Sequence, residues 1–257
     1  MKIIDGESYD KLLSSIAIIM NVTKSDIQNE LNKYPNDLID KEFIEQFYNS
    51  QFYKNHNSNY DGIYLFHLTR CTDEMLQKIK EKGLLKPKEA LKYIKMDIAN
   101  HFNVIGLKQT LLNIDDNSLK RNPVDNNIYA MSVNINDESF KKIDKRKSYH
   151  FLDKQSGPEY VRDILNILQQ KYDYTLDYLK FTKPYIVKVF IDKEDLEKTE
   201  KYENLLKKIN ISLGDYYLLQ YLYIVYIFLN NINTDFSSYT CNQNILIKII
   251  EVEEQDE

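Results

Sequence analysis

The stretch Tyr64-Leu65-Phe66-His67-Leu68-Thr69-Arg70, followed by Glu74-Met75-Leu76-Gln77-Lys78-Ile79-Lys80-Glu81-Lys82-Gly83-Leu84-Leu85-Lys86-Pro87, decides the fold class. Ile63 to Leu68 is a short apolar run rich in aromatic and branched residues after Gly62, the composition of a strand. Thr72 or Asp73 then caps a helix bearing Met75, Leu76 and Ile79, and Gly83 ends it. Side chains alternate along a strand, so His67 and Thr69 share one face while Phe66 and Leu68 point to the core.

Outward from this stretch the pattern stays mixed. Residues 7 to 50 read as helical: Leu12, Leu13, Ile16, Ile19 and Met20 recur at helical spacing. Ser25 or Asp26 can cap a second helix with Ile27 and Leu31, and Asp40 a third with Phe43, Ile44 and Phe47. The polar tract Tyr53 to Asp61 separates a helical N-terminal segment, 1–58, from an α+β domain, 59–257. Further strands are expected at Ile128 to Val133, Tyr185 to Ile191 and Ile245 to Ile250, and helices over 87–112, from Pro158, and over 194–209 and 212–230. Few strands spaced by helices of uneven length predict α+β rather than a doubly wound sheet. The acidic end, Glu251 to Glu257, reads as a solvated tail.

Composition narrows the function classes. With 257 residues, 43 % of them apolar, the chain can bury a sizeable core. Six glycines and no G-x-G-x-x-G or G-x-x-x-x-G-K-[ST] leave no common backbone cradle for dinucleotides or triphosphates. A net charge of −5 speaks against bulk electrostatic attraction to nucleic acid and leaves a local basic patch open. Cys71 and Cys241 are far apart and flank no ligand partner, which indicates two reduced thiols in a cytoplasmic protein and no metal site. No signal peptide is visible, and the longest apolar run, Tyr216 to Leu229, is shorter than the ~20 residues that span a bilayer. Abundant Lys, Ile, Asn and Tyr with no Trp match the coding bias of an AT-rich bacterial or phage genome.

A strand that ends in a histidine, with a hydroxyl residue just beyond it, then a capped amphipathic helix and a Gly-Leu-Leu turn, resembles the opening motif of ADP-ribosyltransferase-fold proteins. These include bacterial toxins that modify DNA or proteins, and RNA 2′-phosphotransferases. The resemblance covers Tyr64 to Pro87. It implies a split, antiparallel-rich sheet with a helical insertion before the last strand, and NAD as substrate. It further implies that His67 binds the ribose and nicotinamide side of NAD, with Thr69 and Arg70 close by. The family's middle strand, bearing Ser or Tyr, has its best counterpart in Ile128 to Val133, which makes Tyr129 and Ser132 candidate cofactor contacts; Tyr149 is a second candidate for stacking on nicotinamide.

The family's glutamate, which holds the ribose 2′-hydroxyl as nicotinamide leaves, has no clean match. Glu159, in Ser156-Gly157-Pro158-Glu159-Tyr160-Val161-Arg162, stands at a predicted helix N-terminus and is the candidate catalytic carboxylate alongside His67. A first-turn glutamate has the same appearance when it only answers the helix dipole. Near the last strand, Cys241-Asn242-Gln243-Asn244 offers amides, with Glu251 and Glu253 beyond. The function implied is ADP-ribosyl transfer from NAD to a macromolecular acceptor, nucleic acid or protein, in a toxin or phage-defence setting with a regulatory or antitoxin partner and no membrane. The alternative is a non-catalytic nucleotide-sensing or protein-binding module on the same fold.

Two further signals stand apart. Ile16 to Leu31 has a helix-turn-helix cadence, with Asn21 at a turn position that tolerates left-handed geometry, but Asp26 and Glu30 on the second helix favour a plain helical hairpin. Lys141 to Lys147, flanked by Phe140, Tyr149, His150 and Phe151, combines positive charge with rings.

Overall fold

The structure, a computed structural model, describes residues 1–56, 59–102, 104–119, 128–144, 159–169, 178–195, 206–234, 238–241 and 248–255. Six strands are described: β1 (Ile3–Ile4), β2 (Gly62–Cys71), β3 (Ile128–Met131), β4 (Lys183–Asp192), β5 (Ser238–Cys241) and β6 (Lys248–Glu254). They form one sheet of order β5-β3-β2-β4-β6, with β1 beside β2. β1 runs parallel to β2, Ile3 opposite Gly62, whereas β3 runs antiparallel to it, Phe66 opposite Met131, so the sheet is mixed. The α+β expectation holds.

The strands depart from the sequence pattern where polar residues enter the sheet. β2 continues past Leu68 through Thr69, Arg70 and Cys71, so His67 stands within the strand and not at its end. The expected acidic tail is partly strand: Glu251 to Glu254 belong to β6, the Gln255 N–H donates to Pro184 O (2.9 Å), and Lys183 pairs with Glu254 (3.2 Å). β3 is shorter than expected, ending at Met131. β4 includes Pro184, expected to precede it. β1 and β5, of two and four residues, are too short to show a period.

The chain divides into two compact units, one of residues 1–66, 129–147 and 189–241, the other of 67–128, 148–188 and 242–257. The helical segment 1–58 is therefore part of a unit completed by later chain, and the division does not fall at residue 58.

In the first unit α1 (Tyr9–Met20) ends at Asn21, whose φ of 55° and ψ of 47° are left-handed and whose N–H reaches the carbonyls of Ala17 and Ile18. α2 (Lys24–Leu31) is capped by Thr23, two or three residues earlier than anticipated, with Asp26 returning the bond in a capping box. α3 (Asp40–Asn49) starts one residue before its expected first turn: Ile39 is the N-cap and Asp40 lies inside the helix. Gln51–His56 forms α4. A later helix, Leu213–Leu229, is apolar around nearly its whole circumference and buried, and packs on α1, α2 and α3. Tyr9 stacks on Phe228 at 3.7 Å, and Phe43 lies 5.4 and 4.9 Å from Tyr223 and Tyr226. Among the described residues no helix is long and apolar enough to cross a membrane.

In the second unit Thr72 caps α5 (Asp73–Lys82), and Gly83 (φ 79°) ends it with its N–H on Ile79 O. α6 (Pro87–His101) opens on proline, whose missing N–H costs nothing in a first turn. The helical material expected over 87–112 falls into two helices: α6 ends where Phe102 turns extended (φ −123°, ψ 119°), and α7 (Leu107–Leu112) starts after Gly106, whose φ is 80°. Glu138–Lys141 forms α8, in the first unit, and Glu159–Gln169 forms α9. The buried residues of α9, Val161, Ile164, Leu165 and Leu168, pack with Leu91, Ile98, Leu107 and Leu111. We number the helix Leu213–Leu229 α10.

Gly62 has no room for a side chain: a Cβ would meet Ile191 O at 2.4 Å and the Phe190 ring at 2.5 Å. Gly62→Ala is expected to lower the stability of the chain by about 1–3 kcal/mol in urea unfolding, without changing far-ultraviolet dichroism at low denaturant.

Candidate functional site

β2 holds the residues singled out by sequence. His67 and Thr69 are half-buried and share one strand parity. Arg70 does not stand beside them: alternation turns it to the other face, where it is 1 % exposed. Its Nε donates to Thr182 Oγ1 and its Nη2 to Thr182 O, both at 2.9 Å. A guanidinium cannot shed its charge, so burial requires such acceptors, and Arg70 is a structural strap and not a cofactor contact. Ser132 is fully buried and its Oγ finds no hydrogen-bond partner among the described residues, so it presents no surface to a cofactor. Tyr129 lies in β3 and Glu159 opens α9, but their side chains lie outside the described residues. Outside them too are Tyr149, the basic run beyond Asp144 with His150 and Phe151, and Asn242 to Asn244. Glu251 and Glu253 are exposed on β6.

The structure assembles a polar cluster that sequence reading did not anticipate, at the end of β2. Asp97 on α6, 5 % exposed, receives hydrogen bonds at Oδ2 from Thr72 Oγ1 (2.8 Å) and from the Tyr178 hydroxyl. Thr72 Oγ1 also accepts the Met75 N–H (3.2 Å), which couples the cap of α5 to Asp97. One turn along α6, His101 Nδ1 lies 2.9 Å from Asp97 O, and its Nε2 lies 3.8 Å from Glu74 Oε2. The imidazole meets the Tyr178 ring edge-on at 5.6 Å and Phe181 at 5.1 Å. Tyr185 donates to Asp73 Oδ1 at 3.2 Å.

Burial sets the acidities here. It pushes the Cys71 thiol up to about 12, with the charges of Asp97 and Asp73 adding to the effect. It raises the Tyr178 phenol, again reinforced by Asp97, and the Tyr185 phenol, reinforced by Glu254 and Asp73. A carbonyl oxygen can only accept, so His101 Nδ1 donates to Asp97 O and the ring turns its Nε2 toward Glu74. A signal for part of this was present: Asp97 and His101 are four apart and fall on one helix face. Tyr178 comes from distant chain and could not be paired by spacing.

In the first unit a cavity of about 300 Å³ opens at the N-terminus of α10, lined by Asn59, Tyr60, Lys193, Ser212, Gly214 and Asp215 among others. The Asp215 N–H donates to Ser212 Oγ (3.0 Å), and the Asp215 carboxylate accepts from Tyr53 OH (2.6 Å) and Ser212 Oγ (2.5 Å). Lys193 Nζ stands 5.4 Å from the centre of the Tyr60 ring and bonds Asn59. One ammonium and one carboxylate line this cavity, so it favours neither ion class. Comparison of the chain with protein-family models, with curated proteins and with solved structures finds no match.

Two outcomes follow from the cluster at the end of β2. Asp97→Ala leaves the Thr72 and Tyr178 hydroxyls without their acceptor and is expected to cost about 2–4 kcal/mol in denaturant unfolding. Cys71 is expected to resist iodoacetamide at pH 8 in the folded chain and to react after unfolding, read by peptide-resolved mass spectrometry. The folded thiol keeps its proton above the pH at which the unfolded one loses it, so the contribution of Cys71 to stability is whole below about pH 9 and falls as pH rises toward about 12.

Proposed function

We propose that this chain is an NAD-dependent ADP-ribosyltransferase with a sheet of the ADP-ribosyltransferase type, acting on a macromolecule in a bacterial cytoplasm under the control of a regulatory partner. The observation that carries the reading is the pairing of His67 and Thr69 on one half-buried side of a central strand that runs directly into a capped helix. An imidazole and a hydroxyl two residues apart lie about 7 Å apart along a strand, a span suited to gripping the ribose of a nucleotide.

In this reading His67 and Thr69 orient NAD. The bond between nicotinamide nitrogen and ribose C1′ breaks, and nicotinamide departs with the bonding electron pair. The positive charge that develops on the ribose is met by a carboxylate, for which Glu159 at the start of α9 is the candidate. An oxygen or nitrogen of the acceptor attacks C1′ and gives up its proton to solvent or a nearby base.

With NAD labelled in its adenylate half and a cell lysate as acceptor source, the wild-type chain is expected to label a macromolecule and release an equal amount of nicotinamide. His67→Ala is expected to lower both by roughly 100-fold, the usual scale for loss of a positioning group. Intact NAD after incubation with the wild-type chain, or equal turnover by wild type and His67→Ala, overturns the transferase. Saturable NAD binding without nicotinamide release assigns the binding module in its place.

A further inference from the structure

The chain is acidic as a whole, yet one hairpin is not. Residues 78 to 93 contain Lys78, Lys80, Lys82, Lys86, Lys88 and Lys92 against only Glu81 and Glu89. α5 and α6, which carry most of them, pack on each other. Lys78 and Glu81 pair at 3.0 Å, which leaves the excess of four lysines over glutamates in this stretch unchanged. Across the hairpin Lys82 Nζ donates to the Tyr93 hydroxyl at 2.9 Å and lies 5.0 Å from the centre of its ring.

Tyr93 reports the local field. Its phenol is drawn below its ordinary acidity range by the Lys82 hydrogen bond and charge, with Lys92 and Lys78 adding to the effect. Lys82 thus contacts the Tyr93 hydroxyl directly, and Lys92 and Lys78, one from each helix, add positive charge to its surroundings. Such a group of like charges repels itself, and an anion set among them relieves the repulsion.

We infer that the α5–α6 hairpin is a binding surface for single-stranded nucleic acid, its lysines meeting successive phosphates around the ring of Tyr93. Lysines spread over two adjoining helices suit a linear polyanion with one charge per nucleotide better than a small anion, which would need them at one point. A half-buried aromatic among them supplies a platform on which a base stacks, a contact open to any base and closed to an acidic peptide. The surface is independent of NAD turnover, and binding alone tests it.

The test is fluorescence anisotropy of a labelled oligothymidylate of about 20 nucleotides over a range of salt concentrations. Wild type is expected to bind at low salt and to release the strand as salt rises. Lys78→Gln/Lys82→Gln/Lys92→Gln is expected to weaken binding at least about tenfold at low salt and to flatten the log–log salt slope by about 2, near 0.7 per lysine. Lys82→Arg, which keeps the charge, is expected to bind as wild type. Lys24→Gln/Lys33→Gln, on the N-terminal helices, is expected to have no effect. The proposal is overturned if wild type does not bind, if the N-terminal pair of substitutions causes the loss instead, or if polyglutamate of equal charge competes as well as unlabelled oligonucleotide.

Discussion

The end of β2 is a polar sequence buried among apolar elements, and the second unit is organised by the need to satisfy it. Arg70, Cys71 and Thr72 are 1, 6 and 1 % exposed. A buried charge or hydroxyl without a partner costs several kcal/mol, so chain brought from elsewhere must present acceptors. Thr182 supplies two for Arg70, and Asp97 supplies one that Thr72 and Tyr178 share. These bonds place α6 and the segment 178–182 around the strand end. They also bring His101, Phe181 and Glu74 together near the surface, where the imidazole, held by Asp97 O, stands against aromatic walls.

The first unit solves a different problem, how to build a core from tyrosines. A tyrosine ring is large and apolar, but its hydroxyl needs a partner when buried. Tyr53 finds Asp215, Tyr60 finds Gly214 O, and Tyr226 accepts from the Leu38 N–H while donating to Pro35 O. Two of these three tyrosines bond the first turn of α10 and the third stands near its far end, so the hydroxyls fix the helix at both ends while the rings pack along it. The same helix is apolar enough to read as a buried element from sequence, yet nothing in its pattern says which rings pack on it or which hydroxyls anchor it.

β2 offers His67 and Thr69 on one parity and commits Arg70 to the interior on the other, so three neighbouring residues that resemble one motif divide into two roles. The hairpin that follows carries a field opposite in sign to that of the whole chain, which an averaged charge conceals.

Sequence by itself determined the elements with strong local causes: α1 and its turn at Asn21, the capped helix from Thr72 to Gly83, the apolar stripe of α9, the buried α10 and the α+β class. Periodicity, caps and positive-φ residues act within a few residues of one another, and the order of residues records them directly. Only tertiary structure decided that β2 runs on through Thr69, Arg70 and Cys71, that acidic residues form β6, that Ser132 is sealed, and that Asp97 meets Tyr178. Those outcomes depend on partners far away in the chain: a polar residue enters a strand or a core when its hydrogen bonds are satisfied there, and no local pattern records where the acceptor comes from.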